Sequence, residues 1–335
     1  MATRIDELSK LRKRRRLDQV FITGQPDILA LTGVDTDNGI LTDDTLYTDF
    51  RYIPAARRVA PDLKVVDIKR FRPATGGRVG CDFRMSHNRF VAFQKRSPKA
   101  KLVDVSKDLS AIRAVKTSDE IGRIRAAERL VCEIWEDASA RFKPGMTERR
   151  MAAIIKKMMI DRGEGEAFES IVCVGKNAAE CHHIPDDTVW NGREPILVDI
   201  GVKLGGVCSD LTRNLVPKKP SSLYRKVYDL VLKANLAAIA AAKPGMTGKA
   251  LDRVARRVIA EGGFGKCFGH SLGHGVGLEV HESPALAKKS DTVLKPGMLV
   301  TIEPGIYLEG NLGVRIEDLI LITDTGCEVL SPAKK

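Results

Sequence analysis

Apolar residues recur along this chain in two rhythms, helical near the start and through the middle, strand-like in between and towards the end. Ile5, Leu8 and Leu11 repeat at helical spacing, with Lys10 and Arg12 to Arg16 forming the wet face and end of an amphipathic helix. VFIT (20–23) and GILTDDTLYTDFRY (39–52) read as strands, the second broken by Asp43-Asp44 into a hairpin. Gly76-Gly77, Pro98 and a polar stretch follow, so a first domain is expected over residues 1–110. Thr117 and Glu120 then fit a capping box, and Ile121, Ile124, Val131 and Ile134 behind them predict a long amphipathic helix. That helix opens a second domain, residues 111–335.

The second domain repeats itself. KPGMT occurs at 143–147 and again at 243–247, each time after an Ala-rich helical stretch and before a helix that Thr147 or Thr247 would cap. A third KPGM lies at 295–298, just before a strand. Two related αβ halves are expected.

A length of 335 residues accommodates both domains with a large buried core. With 43% hydrophobic and 29% charged residues, the profile is that of a soluble globular protein. No run of about 18 apolar residues occurs, so no membrane span is expected. MATRIDELSKLRKRRR has no apolar core or cleavage site, and no secretory signal is read there. Seven scattered cysteines without a CxxC pair read as reduced thiols in a cytoplasmic protein. The net charge is +12, and residues 1–110 hold 22 Lys and Arg against 14 Asp and Glu. Such a surface attracts nucleic acid or acidic peptides. The helical spacing of the N-terminal run assigns its charges to a solvated face instead, so no nucleic-acid partner is expected.

Candidate chemistry lies entirely in the second domain. PILVDIGVKLGGVCSDLTRNLV (195–216) reads as a hairpin turning at Gly205-Gly206, with Asp199 and Asp210 on its two strands. Cross-strand pairing can bring the two acids together, and Asp199, in so apolar a strand, is expected to be buried from both faces. Close buried carboxylates repel unless a cation lies between them. GHSLGHGVGLEVHESP (269–284) holds His270, His274 and His281, which with His182 and His183 make five of the six histidines. Its glycines disfavour a helix, and neither HExxH nor a phosphate-loop pattern is present. MLVTIEPGIYLEG (298–310) and GVRIEDLILIT (313–323) are strand patterns interrupted by Glu303 and Glu317. Four acids with one imidazole suit two hard divalent ions such as Mn2+ or Co2+.

The order VDIGV, SDLTR, GHSLGHGVGLEVHE, TIEPGIY, GVRIED resembles the proline-peptidase branch of the pita-bread metallopeptidases, aminopeptidase P and prolidase. LYTDFRYIPAA resembles the N-terminal domain of that branch. The resemblance implies an α+β protein, its C-terminal pita-bread catalytic domain of two pseudo-symmetric αβ halves preceded by a smaller α/β creatinase-like domain. It implies two divalent metal ions, Mn2+ first with Co2+ or Zn2+ as alternatives. Asp199 would hold one ion, Asp210 and Glu317 would bridge both, and His274 with Glu303 would complete the second. His182, His270 and His281 would line the substrate side, Arg315 would brace the carboxylates, and Glu303 would also carry a proton. The resemblance assigns His183 no role, and it reads as structural.

The implied substrate is a peptide with proline at its second position, and the implied assembly is a homodimer. Some prolidase-like relatives carry a basic residue after the proline of the VHExP motif. Ala285 stands there in this chain, which leans towards longer Xaa-Pro peptides over dipeptides. A methionine aminopeptidase would share the five ligands, but the GVRIED run and a domain of about a hundred residues ahead of them fit it poorly. Creatinase-like relatives share the fold without the metals, and a non-enzymatic interaction protein using the basic first domain would have lost ligands. This sequence keeps all five.

Overall fold

The computed structural model describes residues 4–74 and 76–335. The chain divides into two compact units, one up to Arg113 and the other Ala114–Lys335.

In the first unit, α1 (Ile5–Arg15) buries Leu8 and Leu11, as their spacing predicts. Three of its arginines are engaged within the unit: Arg12 pairs with Asp43 at 2.7 Å, Arg14 with Asp108 at 2.8 Å, and Arg15 donates to the Asp104 carbonyl at 3.0 Å. The helices α2 (Gln25–Thr32), α3 (Ile53–Val59), α4 (His87–Arg96) and α5 (Ser106–Ala114) accompany two small sheets. In one, Gly76–Cys81 runs parallel to Gln19–Phe21 on one side and Lys99–Asp104 on the other. In the other, Ile40–Leu41 and Thr45–Thr48 form the expected hairpin, and Thr45–Thr48 also pairs parallel with Lys64–Asp67. The hairpin's second strand stops at Thr48, short of the reading to residue 52. The Asp49 carboxylate accepts from the Arg51 amide, and Pro54 in the first turn of α3 turns the chain helical. The buried Asp27 carboxylate accepts from the half-exposed Arg84 at 2.9 Å and from the buried Arg113 at 3.3 Å.

The second unit consists of α6 (Ser118–Ser139), α7 (Glu148–Arg162), α8 (Ser222–Ala241) and α9 (Gly248–Glu261) with four sheets, the smallest pairing Lys203–Leu204 with Val207–Cys208. Thr117 and Glu120 form the capping box at the start of α6. Val131, Ile134, Met151 and Ile155 of α6 and α7 share a core with the antiparallel sheet of Ile171–Val174, Ile196–Ile200 and Leu211–Leu215. Val227, Val231, Leu251 and Ala255 of α8 and α9 share another with a five-stranded sheet. Its order is Glu282–Leu286, Gly273–Gly275, Leu299–Ile302, Asp318–Ile322, Cys327–Val329. Gly305–Leu308 pairs separately with Leu312–Arg315.

The repeated KPGMT segments do the same job in both halves. Gly145 and Gly245 sit at φ 91° and 87°, where a side chain would strain the backbone. Their amides donate to the Trp190 and Leu294 carbonyls, which lie equivalently across a loop. Thr147 and Thr247 cap α7 and α9. The α+β architecture of two related αβ halves behind a smaller α/β domain is therefore the one expected from the sequence. No helix among the described residues is long and apolar enough to cross a membrane.

Candidate metal centre

Asp199 is the one residue of strand Ile196–Ile200 that is not fully buried, its side chain being 14% exposed. The strand is buried as expected, and the Asp199 side chain opens onto a cavity within that burial. Thr212 lies directly opposite it in the register, so Asp210, two positions earlier, falls on the same face as a diagonal neighbour. Glu303 and Glu317 stand side by side where two segments of the chain leave one sheet and enter another. Ile302 pairs with Asp318 before that seam, and Gly305 with Arg315 after it. The interruptions visible in the sequence are this seam.

His274 arrives from the short strand Gly273–Gly275. Its Nδ1 donates to the Gly275 carbonyl at 3.1 Å, which leaves Nε2 facing Glu303 Oε1 at 3.2 Å and Asp210 Oδ2 at 3.6 Å. Glycine is required on both sides of it. A Cβ on Gly273 would lie 2.0 Å from the Thr301 carbonyl oxygen, and one on Gly275 would lie 2.3 Å from that of Ser283.

A cavity of about 280 Å3 collects all nine residues singled out in the sequence: His182, Asp199, Asp210, His270, His274, His281, Glu303, Arg315 and Glu317. His182 and His281 are exposed, and the His281 ring stands edge-on to His274 at 4.3 Å between centroids. His270 Nδ1 donates to the Ser271 carbonyl, and its Nε2 accepts from the Tyr307 hydroxyl, both at 2.8 Å.

Three residues that the sequence reading missed hold these groups in place. Thr212 donates to Glu317 Oε2 at 2.8 Å and accepts from Arg315 Nε at 3.0 Å. The Tyr307 hydroxyl accepts from Arg315 Nη1 at 2.8 Å. The buried Glu128 carboxylate accepts from the Asp210 amide at 3.2 Å. Thr212 was findable, because it is the cross-strand partner of Asp199 in the expected hairpin. Tyr307 and Glu128 carry no comparable spacing signal.

Burial and the surrounding carboxylates push Asp210 and Glu317 well above the ordinary carboxylate range. Burial also works to raise Glu303, but the hydrogen bond and charge of His274 outweigh it and hold that acid below its usual value. Burial disfavours the charged form of His274, yet Glu303 raises it overall. His270 is lowered, chiefly by burial and with help from the Arg315 charge.

This is a donor set that fits divalent cations. One ligand atom each from Asp210, His274 and Glu317 lie within 4.8 Å of one another. Asp199 Oδ1 is buried with no hydrogen-bond partner, an arrangement that costs free energy unless something positive sits there. Oxygen donors with a single imidazole suit hard or borderline divalent ions.

Residues 122–324 match metallopeptidase family M24. The chain belongs to that family. Residues 4–115 match the creatinase/prolidase N-terminal domain. Among M24 relatives, the Xaa-Pro dipeptidase of Pyrococcus furiosus is 35% identical, covering 100% of this chain and 99% of that protein. The uncharacterized peptidase YqhT of Bacillus subtilis is 31% identical over 99% of this chain and 98% of its own. Among solved M24 structures, the prolidase of Pyrococcus horikoshii superposes with a TM-score of 0.94 at 30% identity, covering 99% of each chain. The X-Pro aminopeptidase of Thermotoga maritima gives 0.85 at 31% identity, over 96% of this chain and 99% of that one. The resemblance to the proline-peptidase branch read from the sequence is borne out.

Proposed function

We propose that this M24 metallopeptidase hydrolyses the bond between the first residue and proline in Xaa-Pro peptides, using two divalent ions held by Asp199, Asp210, His274, Glu303 and Glu317. The observation that carries this reading is the convergence of four acids and one imidazole on one cavity. Four carboxylates match the charge of two such ions, and the relatives with assigned activities act on Xaa-Pro bonds. Bound there, the ions would supply Lewis acidity that polarises a scissile carbonyl and makes a water acidic enough to ionise near neutral pH.

The protein's own groups do the rest. Glu303 Oε2, 4.0 Å from His270 Nδ1, takes the proton from the attacking water and returns it to the leaving proline nitrogen. His182 and His281, exposed on the cavity, donate to the substrate carbonyl as its oxygen gains charge. Arg315 fixes Asp199 and, through Tyr307, the ring of His270.

Cavity charge favours longer peptides over dipeptides. Among the described lining residues Arg315 is the one arginine or lysine, and its guanidinium is taken by Asp199, Thr212 and Tyr307. A dipeptide's free carboxylate finds no such cation to meet, and the exposed Glu169 adds a further acid to the lining. The test compares Xaa-Pro dipeptides with Xaa-Pro-Yaa tripeptides under Mn2+, Co2+ and Zn2+. Faster cleavage of the tripeptides, strongest with Mn2+, is expected. A metal-loaded protein that cleaves neither overturns the activity, and a clear dipeptide preference overturns the length assignment.

A further inference from the structure

One wall of the cavity, residues 181–185, lies in an irregular stretch between the strands Ile171–Val174 and Ile196–Ile200. Regular hydrogen bonding does not fix where its side chains stand, yet a substrate-facing histidine must be placed to within a fraction of an ångström to be useful. Glu148, the first residue of α7, is fully buried beside this stretch. Its Oε1 accepts from the Val174 amide at 2.6 Å and from Asn177 Nδ2 at 2.9 Å. Its Oε2 accepts from His183 Nε2 at 2.7 Å and from the Asp186 amide at 3.1 Å. One carboxylate thus ties four points of a thirteen-residue stretch to the start of a helix.

The side chains alternate along the wall. His182 and Ile184 are exposed onto the cavity, whereas His183 between them is largely enclosed and turned to Glu148. Glu148, His183 and Asp186 stand close enough to hold a cation. Each Glu148 oxygen already has two donors, however, so the cluster is filled by hydrogen bonds.

The duplicated half sharpens the point. The position after the capping threonine is Glu148 in the first half and Gly248 in the second. A Cβ on Gly248 would lie 2.4 Å from the Ala285 carbonyl oxygen. Only the half that supplies this wall carries an acid there, and only there does it reach a histidine.

We infer that Glu148 and His183 form an anchor that sets the depth of the cavity wall, making them positioning residues for His182 and Ile184. This rests on the cavity being the place where an Xaa-Pro peptide is cleaved. His183 is a positioning residue in this account because its ring is spent on Glu148 while its neighbours meet the substrate.

The test is His183→Ala, which leaves Glu148 three donors, beside His183→Gln, whose side-chain amide restores the fourth. Amide hydrogen exchange over residues 174–188, Mn2+ affinity and steady-state kinetics are measured on the full chain. In the alanine variant exchange of that stretch accelerates about tenfold, KM for an Xaa-Pro tripeptide rises about tenfold with a smaller change in kcat, and Mn2+ affinity is unchanged. The glutamine variant recovers most of both effects. Unaltered exchange and KM in the alanine variant overturn the anchor. So does a loss of Mn2+ affinity and global stability that glutamine fails to restore, because that is a plain packing role. A wild-type protein that cleaves no Xaa-Pro peptide sinks the functional reading, while the exchange measurement still decides the anchor.

Discussion

Arg315 Nη2 lies 2.5 Å from one carboxylate oxygen of Asp199, and the other oxygen of that carboxylate is buried without a partner. The protein thus neutralises half of the acid and leaves the other half for a ligand. Arg315 reaches Asp199, Thr212 and Tyr307 at once, a fork that a lysine ammonium cannot reproduce. Arg315→Lys should lower Mn2+ affinity roughly 10- to 100-fold, the usual effect of losing a partner that orients ligands. Calorimetric titration checks this, and wild-type affinity in the variant would remove Arg315 from that role. Arg315→Ala, which strands Asp199, should cost about 3–5 kcal/mol of stability in the metal-free protein.

Loading the centre should release protons. In the metal-free protein burial and mutual repulsion hold Asp210 and Glu317 protonated beyond the ordinary carboxylate range. Because their folded values are raised, they contribute stability that is complete below the unfolded value near 4 and is lost as pH climbs through the folded one. Chelated protein should therefore lose stability with rising pH, and apparent Mn2+ affinity should increase over the same span. Titrations in buffers of different ionisation enthalpy count the protons. Binding that is independent of pH between about 5 and 8 would contradict this.

The first unit has a pH effect of its own at Asp27. Burial raises its carboxyl to about 6 despite the charges of Arg113 and Arg84. Its contribution is present below the unfolded value near 4 and fades as pH rises through about 6, on the order of 3 kcal/mol. Thermal unfolding of the Mn2+-loaded protein should show less stability at pH 7 than at pH 5 on this account. Asp27→Asn should flatten that slope, and an unchanged slope would show that the acid is ionised throughout.

Gly273→Ala should disrupt the metal centre directly. The added Cβ would meet the Thr301 carbonyl oxygen, and backbone cannot yield as a flexible side chain does. Displacing Gly273 also moves His274, whose amide donates to Thr301 Oγ1 at 3.1 Å. Loss of Mn2+ binding is expected, with unfolding temperature lowered by several degrees for about 1–2 kcal/mol lost.

Much of this was legible along the chain because it rests on local rules. The capping box at Thr117 and Glu120 needs only four residues, and the duplicated KPGMT turn is visible as a repeat. Glu303 and Glu317 announced themselves by breaking apolar strands, and the break proved to be a passage between two sheets. The burial of the Asp199 strand follows from its apolar run, but such a run does not disclose which of its faces borders a cavity. Tyr307 and Glu128 were invisible for a different reason. Their partners are set by tertiary approach: Glu128 meets the Asp210 amide 82 positions further along the chain, and no periodicity encodes that. Glu148 was overlooked because an acid in the first turn of a helix has an adequate local explanation already.

Glu303 and Glu317 occupy a passage where the main chain is held by the Leu272 and Thr212 carbonyls rather than by anything the acids' own side chains do. Reactivity and scaffold are therefore separable inheritances. A descendant could shed either acid by drift and still fold, keeping a preformed cleft free to be recruited for recognition instead of cleavage.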